Sequence, residues 1–320
     1  MLLLILVAAF GSAAVYLLYP SGTSFTHVRP GGAAIVDALT ELNPNPMFEK
    51  EATAYLTAAG MYVDVYNSST VSVDFMKSFP AGYDLIVFRI HSGTSTHGVF
   101  YFTSEPYDES KHQPEQFRDE VRPAKDYEGH PQVFAFGAKF VDTYLKNRFQ
   151  NAMIIGMGCF GAGTSYGSEE EVTIENVEVK SGPNLADAFH RQGASVVIGW
   201  DKLVSLSFSD EASLRLIKAL AVDHMTVKQA VDTTNQEFGP DPVYRSVLVF
   251  YPDENGDQVL RIQALEDGAR EISERLLLSL LDDAASSDLA AALNTQTREG
   301  FALRHAVWRS PLSHSSEAEG

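Results

Sequence analysis

The sequence predicts an α/β fold, with a mostly parallel central sheet covered by helices on both faces. Three observations predict it. Short apolar runs alternate with stretches of helical spacing from residue 33 to residue 264, the pattern of strands joined by helical crossovers. Several runs, Tyr83–Ile90 and Ala152–Met157 among them, are apolar nearly throughout, as strands buried on both faces must be. The chain has 320 residues, 45% of them hydrophobic, so it can bury a large core.

The elements follow in order. Met1–Tyr19 has no charged side chain, and Leu2–Leu18 is a nearly continuous apolar run. That length suits the core of a signal peptide or a short N-terminal membrane anchor, and either reading places the folded part outside the cytoplasm. Residues 20–32 are rich in Pro, Gly, Ser and Thr and read as a linker to a domain spanning 33–264. Within it the spacing predicts strands at Ala33–Leu39, Met61–Tyr66, Tyr83–Ile90, Gly98–Thr103, Val133–Phe136, Ala152–Met157 and Ser195–Trp200. Helices are predicted at Phe48–Ala59, Val73–Phe79, Ala138–Phe149, Leu185–Gln192, Asp210–Val222 and Thr226–Phe238. Ser104–His130 is charged and poor in aliphatics and reads as a surface insertion. Glu169–Val179 suggests an acidic hairpin. Ser246–Tyr251 and Gln258–Ile262 flank a turn and suggest a closing hairpin. Residues 265–310 read as a C-terminal helical segment with an amphipathic helix at Ala269–Ala284, and 311–320 as a disordered tail.

Charge excludes one class of partner. The net charge is −18, the reverse of the basic footprint that nucleic acid requires. No pair among His97, His112, His190 and His224 has metal-ligand spacing with a suitable partner, so no metal is expected. Gly156, Gly158, Gly161 and Gly163 lack the following Gly-Lys-Ser/Thr of a phosphate loop, and no cofactor is expected.

Ligand sites in such folds lie beyond the carboxyl ends of the strands. Three places qualify: Ile90 to Gly93, Met157 to Gly161, and Gly199 to Asp201. The first carries a histidine, His91, directly after a buried strand. The second carries the one cysteine of the chain, Cys159, in the equivalent position. A histidine beside a thiol supplies base and acid for acyl transfer, either by stabilising the thiolate or by taking the proton during attack. Backbone N–H groups in the surrounding glycine turns suit an oxyanion site, and Gly158, Gly161, Ala162 and Gly163 leave room for a substrate backbone. Each residue also has a plain structural reading, His91 as a capping or core histidine and Cys159 as a small buried hydrophobe.

The order of apolar strand, His and Gly, then apolar strand, small residue and Cys, resembles the caspase-like cysteine peptidases. That superfamily includes caspases, gingipains, clostripain, legumain, separase and the related CHAT domains. Asn184–Trp200 is similar to the helix-strand unit that follows the cysteine in gingipain-like and CHAT members, and the resemblance covers roughly Val63–Phe250. It implies a caspase-like three-layer sandwich, Cys159 as nucleophile and His91 as general base and acid of an endopeptidase. It implies that the oxyanion is held by the N–H of Cys159 and that of Ser92 or Gly93. Ser92 departs from the usual His-Gly order and leaves that second donor open. Gly158 stands where Ala or Ser is common. Trp200 and Asp201 resemble a strand end that, in separase-like and CHAT-like members, helps bind a basic side chain before the cut. Asp201 also reads as a helix-capping or exposed residue, and Asp210, following Ser209, as a helix cap. Two other readings stand beside the peptidase. One is a catalytically inactive caspase-like binding module. The other is an α/β-hydrolase with a cysteine nucleophile, although the first Gly of the nucleophile elbow is missing and the histidine precedes the nucleophile.

Overall fold

The computed structural model describes residues 27–95, 98–125, 130–162 and 184–262. The chain divides into two compact units, Met1–Ala264 and Leu265–Gly320, and all described residues lie in the first. The expected segments at 2–18, 169–179 and 265–320 lie outside the described residues. Among those described, no helix is long and apolar enough to cross a membrane.

In chain order the elements are β1 (His27–Asp37), α1 (Pro46–Ala58), β2 (Tyr62–Tyr66), α2 (Val73–Lys77), β3 (Ala81–Arg89), β4 (Ser92–Ser95) and β5 (Gly98–Pro106). They continue with α3 (Gln113–Phe117), β6 (Val121–Ala124), β7 (Val133–Gly137), α4 (Ala138–Tyr144), β8 (Met153–Gly156) and α5 (Leu185–Arg191). The last are β9 (Val196–Trp200), α6 (Leu206–Ala221), α7 (Val227–Phe238) and β10 (Leu248–Tyr251). The main sheet has six strands in the order β10-β9-β8-β3-β1-β2. All its pairs are parallel except β9 with β10. Side chains alternate along each strand between two cores. Ala34, Val36, Ile86, Phe88 and Ile154 face α2, α4, α5 and a second sheet. Ala33, Ile35, Leu85, Val87 and Ile155 face α1, α6 and α7. Covering on both faces is why these strands carry so few polar positions, and it makes the expected three-layer α/β architecture.

Local chemistry sets the helix starts. Asn45 accepts from the Phe48 N–H at 3.1 Å ahead of Pro46, whose fixed φ suits the first turn of α1. Thr226 and Gln229 form a reciprocal capping box on α7.

Four expectations are corrected. Gly98–Thr103 and Val133–Phe136 are strands, but they join a separate antiparallel sheet, β4-β5-β7-β6. The 104–130 segment is not simply a surface insertion, because it supplies α3 and β6 and buries Glu115, Glu120 and Val121. The closing hairpin is absent: β10 pairs with β9, and Val259 makes only an isolated bridge to Thr226. Helix α6 starts at Leu206 rather than Asp210, so Asp210 lies inside it and is not a cap.

Candidate active site

His91 and Cys159 follow neighbouring strands. β3 and β8 are parallel and adjacent, with Phe88 opposite Gly156. Past the strand ends, His91 follows β3 by two residues and Cys159 follows β8 by three. Met157 N–H still bonds to the Phe88 carbonyl at 3.0 Å, and then the second strand turns.

The turn is built from close backbone contacts. A Cβ on Gly161 would lie 2.1 Å from the Gly156 carbonyl oxygen, and one on Gly199 would lie 2.5 Å from the Ala162 nitrogen. A Cβ on Gly158 would lie 2.6 Å from the Ile90 carbonyl oxygen. Glycine at 158 and 161 therefore serves the packing of the turn itself, which corrects the expectation that these positions leave room for substrate. Gly163 is outside the described residues. The Tyr101 hydroxyl donates to the Gly161 carbonyl at 2.8 Å, and Phe160 N–H to the Lys202 carbonyl at 2.9 Å. Ser92 Oγ donates to the Cys159 carbonyl, tying the two loops together.

Cys159 is half-buried between the two cores, with its sulfur 3.9 Å from the Val204 carbonyl. Burial pushes the thiol pKa up, and the negative charge of Asp241 adds to it.

Asp241 is fully buried. Burial alone would raise its carboxyl, but the N–H groups of Tyr244, Ser205 and Val243 bond to it at 2.6, 2.9 and 2.8 Å. Together they hold it below the usual carboxylate range.

His91 is half-buried, with its ring centroid 6.4 Å from that of Phe102. Its carbonyl accepts from Phe102 N–H at 2.9 Å, and this bond sets the phase of the β4–β5 ladder. In an antiparallel pair, bonded and non-bonded residue pairs alternate. With Gly93 opposite Phe100, the alternation turns the Gly93 N–H into the ladder. It turns the N–H and C=O of Ser92 and Thr94 away from β5.

The third strand end behaves differently. Trp200 is 1% exposed, and its indole N–H donates to Ser209 Oγ at 2.9 Å. Ser209 in turn donates to the Met157 carbonyl at 2.8 Å. Trp200 is thus a core residue that braces the end of β8, a correction to its expected place on a pocket wall. Asp201 is half-buried. Its Oδ1 accepts from Val247 N–H at 2.9 Å, and Oδ2 lies 3.8 Å from Lys202 Nζ.

Sequence reasoning missed a charged cluster beside this site. Arg89 is 1% exposed. It donates to Asp37 at 3.0 and 3.1 Å, to Asp210 at 2.8 and 2.9 Å, and to the Asn43 carbonyl at 3.0 Å. Asn45 adds a bond to Asp210 at 2.8 Å. The cluster floors a cleft of about 590 Å³ between the 42–48 loop and α6. The signal was present: Arg89 ends the apolar run Leu85–Phe88 and Asp37 the apolar run Ala33–Val36, and a buried charge requires a partner.

No family model matches the chain, and no curated protein matches it. Among solved structures it is similar to the Arg-specific cysteine proteinase gingipain R, at 12% identity and a TM-score of 0.42. That match covers 73% of this chain and 48% of the other. It is also similar to the complex of the pro- and mature domains of RgpB from Porphyromonas gingivalis, at 14% identity and a TM-score of 0.37. There the match covers 65% of this chain and 44% of the other. The matches thus span less than half the length of either structure.

Proposed function

We propose that the chain is a cysteine endopeptidase in which Cys159 attacks the scissile carbonyl and His91 takes the thiol proton and returns it to the leaving amine. One observation carries this reading. The loop of the sole cysteine and the loop of His91 leave adjacent parallel strands level with each other and are bonded together through Ser92 and Cys159. The carboxyl ends of such strands are where reactive groups collect. In this reading the sulfur forms a bond to the carbonyl carbon, the oxygen takes the charge, and the N–H groups of Ser92 and Cys159 stabilise it. Ser92 is preferred to Gly93 because the ladder with β5 occupies the Gly93 N–H. Collapse of the intermediate expels the amine with the proton held by His91, and water then releases the acyl group by the same route. Asp201 is assigned the pairing with a basic side chain before the cut, and Leu2–Leu18 the anchoring or export of the domain to the outside of the cytoplasm.

The test is reaction of Cys159 with a peptidyl electrophile bearing Arg at its reactive end. Cys159 is expected to react faster than a model thiol at neutral pH, His91→Ala to slow that reaction, and Cys159→Ala to abolish peptide turnover with the fold retained. A second reading, an inactive binding module, draws on the burial that raises the thiol. It predicts a thiol slower than the model compound and indifferent to His91→Ala.

A further inference from the structure

We infer that the outer edge of β4 is a pairing strand for the peptide substrate, and that the backbone of Thr94 is its principal contact. The inference rests on the peptidase reading and adds to it how the substrate main chain is held. β4 is an edge strand: among the described residues it pairs only with β5. The bond from Phe102 N–H to the His91 carbonyl fixes the alternation, so the N–H and C=O of Ser92 and Thr94 point to the open edge.

That edge runs away from the candidate nucleophile. By the same alternation the Ile90 carbonyl faces the outer side, and this carbonyl, with Ser92 Oγ, crowds Gly158. The turn carrying Cys159 therefore abuts the outer side of the segment leading into β4. Thr94 lies two residues beyond Ser92, about 7 Å along the strand. An extended peptide whose carbonyl is at Cys159 and the Ser92 N–H reaches Thr94 two residues from the reacting bond. Unpaired edge backbone recruits an extended chain through main-chain bonds, and alternate side chains of the guest then face pockets. The small side chains along β4 (Ser92, Gly93, Thr94, Ser95) let a guest strand approach.

The variant that isolates this role is Thr94→Pro. It removes one outward N–H and leaves the inward ladder to β5 intact, as proline is tolerated on an edge strand. The probe is a quenched peptide of about ten residues with Arg at its centre, given to the full chain. With one backbone hydrogen bond lost, kcat/KM is expected to fall about three- to ten-fold. Thr94→Ala keeps the N–H, so its fall in kcat/KM is expected to be smaller than that of Thr94→Pro. Alkylation of Cys159 by iodoacetamide at alkaline pH is expected to be equal in all three, showing the thiol site undisturbed. Should Thr94→Pro fail to fold, N-methylation of the peptide backbone one position at a time replaces it. A single position two residues from the cut is then expected to show the same loss on the wild-type chain.

Unchanged kcat/KM in Thr94→Pro, an equal loss in Thr94→Ala, or an N-methyl scan with no such position would overturn the inference alone. A wild-type chain that cleaves no peptide and whose thiol ignores the peptidyl electrophile overturns the peptidase reading, and this inference with it.

Discussion

Arg89 and His91 leave the end of β3 two residues apart and enter different surroundings. The Arg89 guanidinium is held by two carboxylates and a carbonyl, with no face left to solvent. His91 is half-buried beside a turn that carries a thiol and close to outward-facing backbone N–H groups. Both are polar residues at the carboxyl end of a buried strand, so position alone does not separate a brace from a reactive group. The separation comes from what surrounds each. A charge whose donors are all satisfied by the protein holds loops in place. His91 instead sits in a loop that Ser92 ties to the turn carrying Cys159.

The largest effect that would sharpen this contrast is on stability. Arg89→Met leaves Asp37 and Asp210 buried without their shared cation, and a loss of about 3–5 kcal/mol is expected. Cys159→Ala, half-buried, is expected to lose under about 1.5 kcal/mol while ending turnover. Urea denaturation of the two variants is the measurement. Similar losses for both would erase the distinction between brace and site.

An intermediate effect is expected in the turn that presents the thiol. Gly161→Ala forces a methyl group against the Gly156 carbonyl, where the ideal Cβ lies 2.1 Å away. Backbone cannot yield as a side-chain tip can, and a cost of about 1–3 kcal/mol is expected. Because the strain falls between Cys159 and β8, the peptidyl electrophile should also react more slowly. A destabilised variant with wild-type labelling kinetics would show that the turn holds the fold but does not aim the sulfur.

The smallest effect is in the pH dependence of stability, and it has opposite signs at two buried aspartates. Asp241 is held below its ordinary 3.8. Its stabilising contribution is complete above 3.8 and is lost as pH falls through the depressed value. Asp37 is raised, first by burial and further by Asp210, against the pull of Arg89. Its contribution is complete below 3.8 and is lost as pH rises through the raised value. Urea midpoints across an acid pH series should therefore show Asp241→Asn losing less stability than wild type on acidification. Asp37→Asn should lose less than wild type on the return toward neutrality. Parallel curves for the two variants would contradict the assigned directions.

Much of this architecture was legible without coordinates. Nearly continuous apolar runs placed β2, β3, β8 and β9 within two residues, because a strand covered on both faces tolerates few polar side chains. Of β1 they caught only the second half, since His27–Gly32 reads as linker. Gly60 and Gly193 marked helix ends correctly, each with positive φ that glycine alone adopts freely. The strand ends that precede His91 and Cys159 were also readable, since β3 and β8 are such strands. The second sheet was not. Gly98–Thr103 and Val133–Phe136 look like any other strands, and which sheet a strand joins depends on pairing partners far along the chain.

The same limit accounts for the two side chains that were misplaced, Trp200 and Asp210. Trp200 and Asp201 share a strand end, yet one braces Met157 through Ser209 while the other bonds to the Val247 backbone. Nothing local distinguishes them. Asp210 looked like a cap because Ser-Asp pairs open helices, but Arg89, 121 positions earlier in the chain, draws it into the core. Local periodicity and turn chemistry act over a handful of neighbours, so the amino-acid order alone settles most strands and helices and the strand ends that precede His91 and Cys159. Partner choice for a buried charge, an indole N–H or a sheet edge is a long-range matter. It is decided only when the packed layers bring distant segments to hydrogen-bond distance, because burial then makes an unmet polar group too costly to leave.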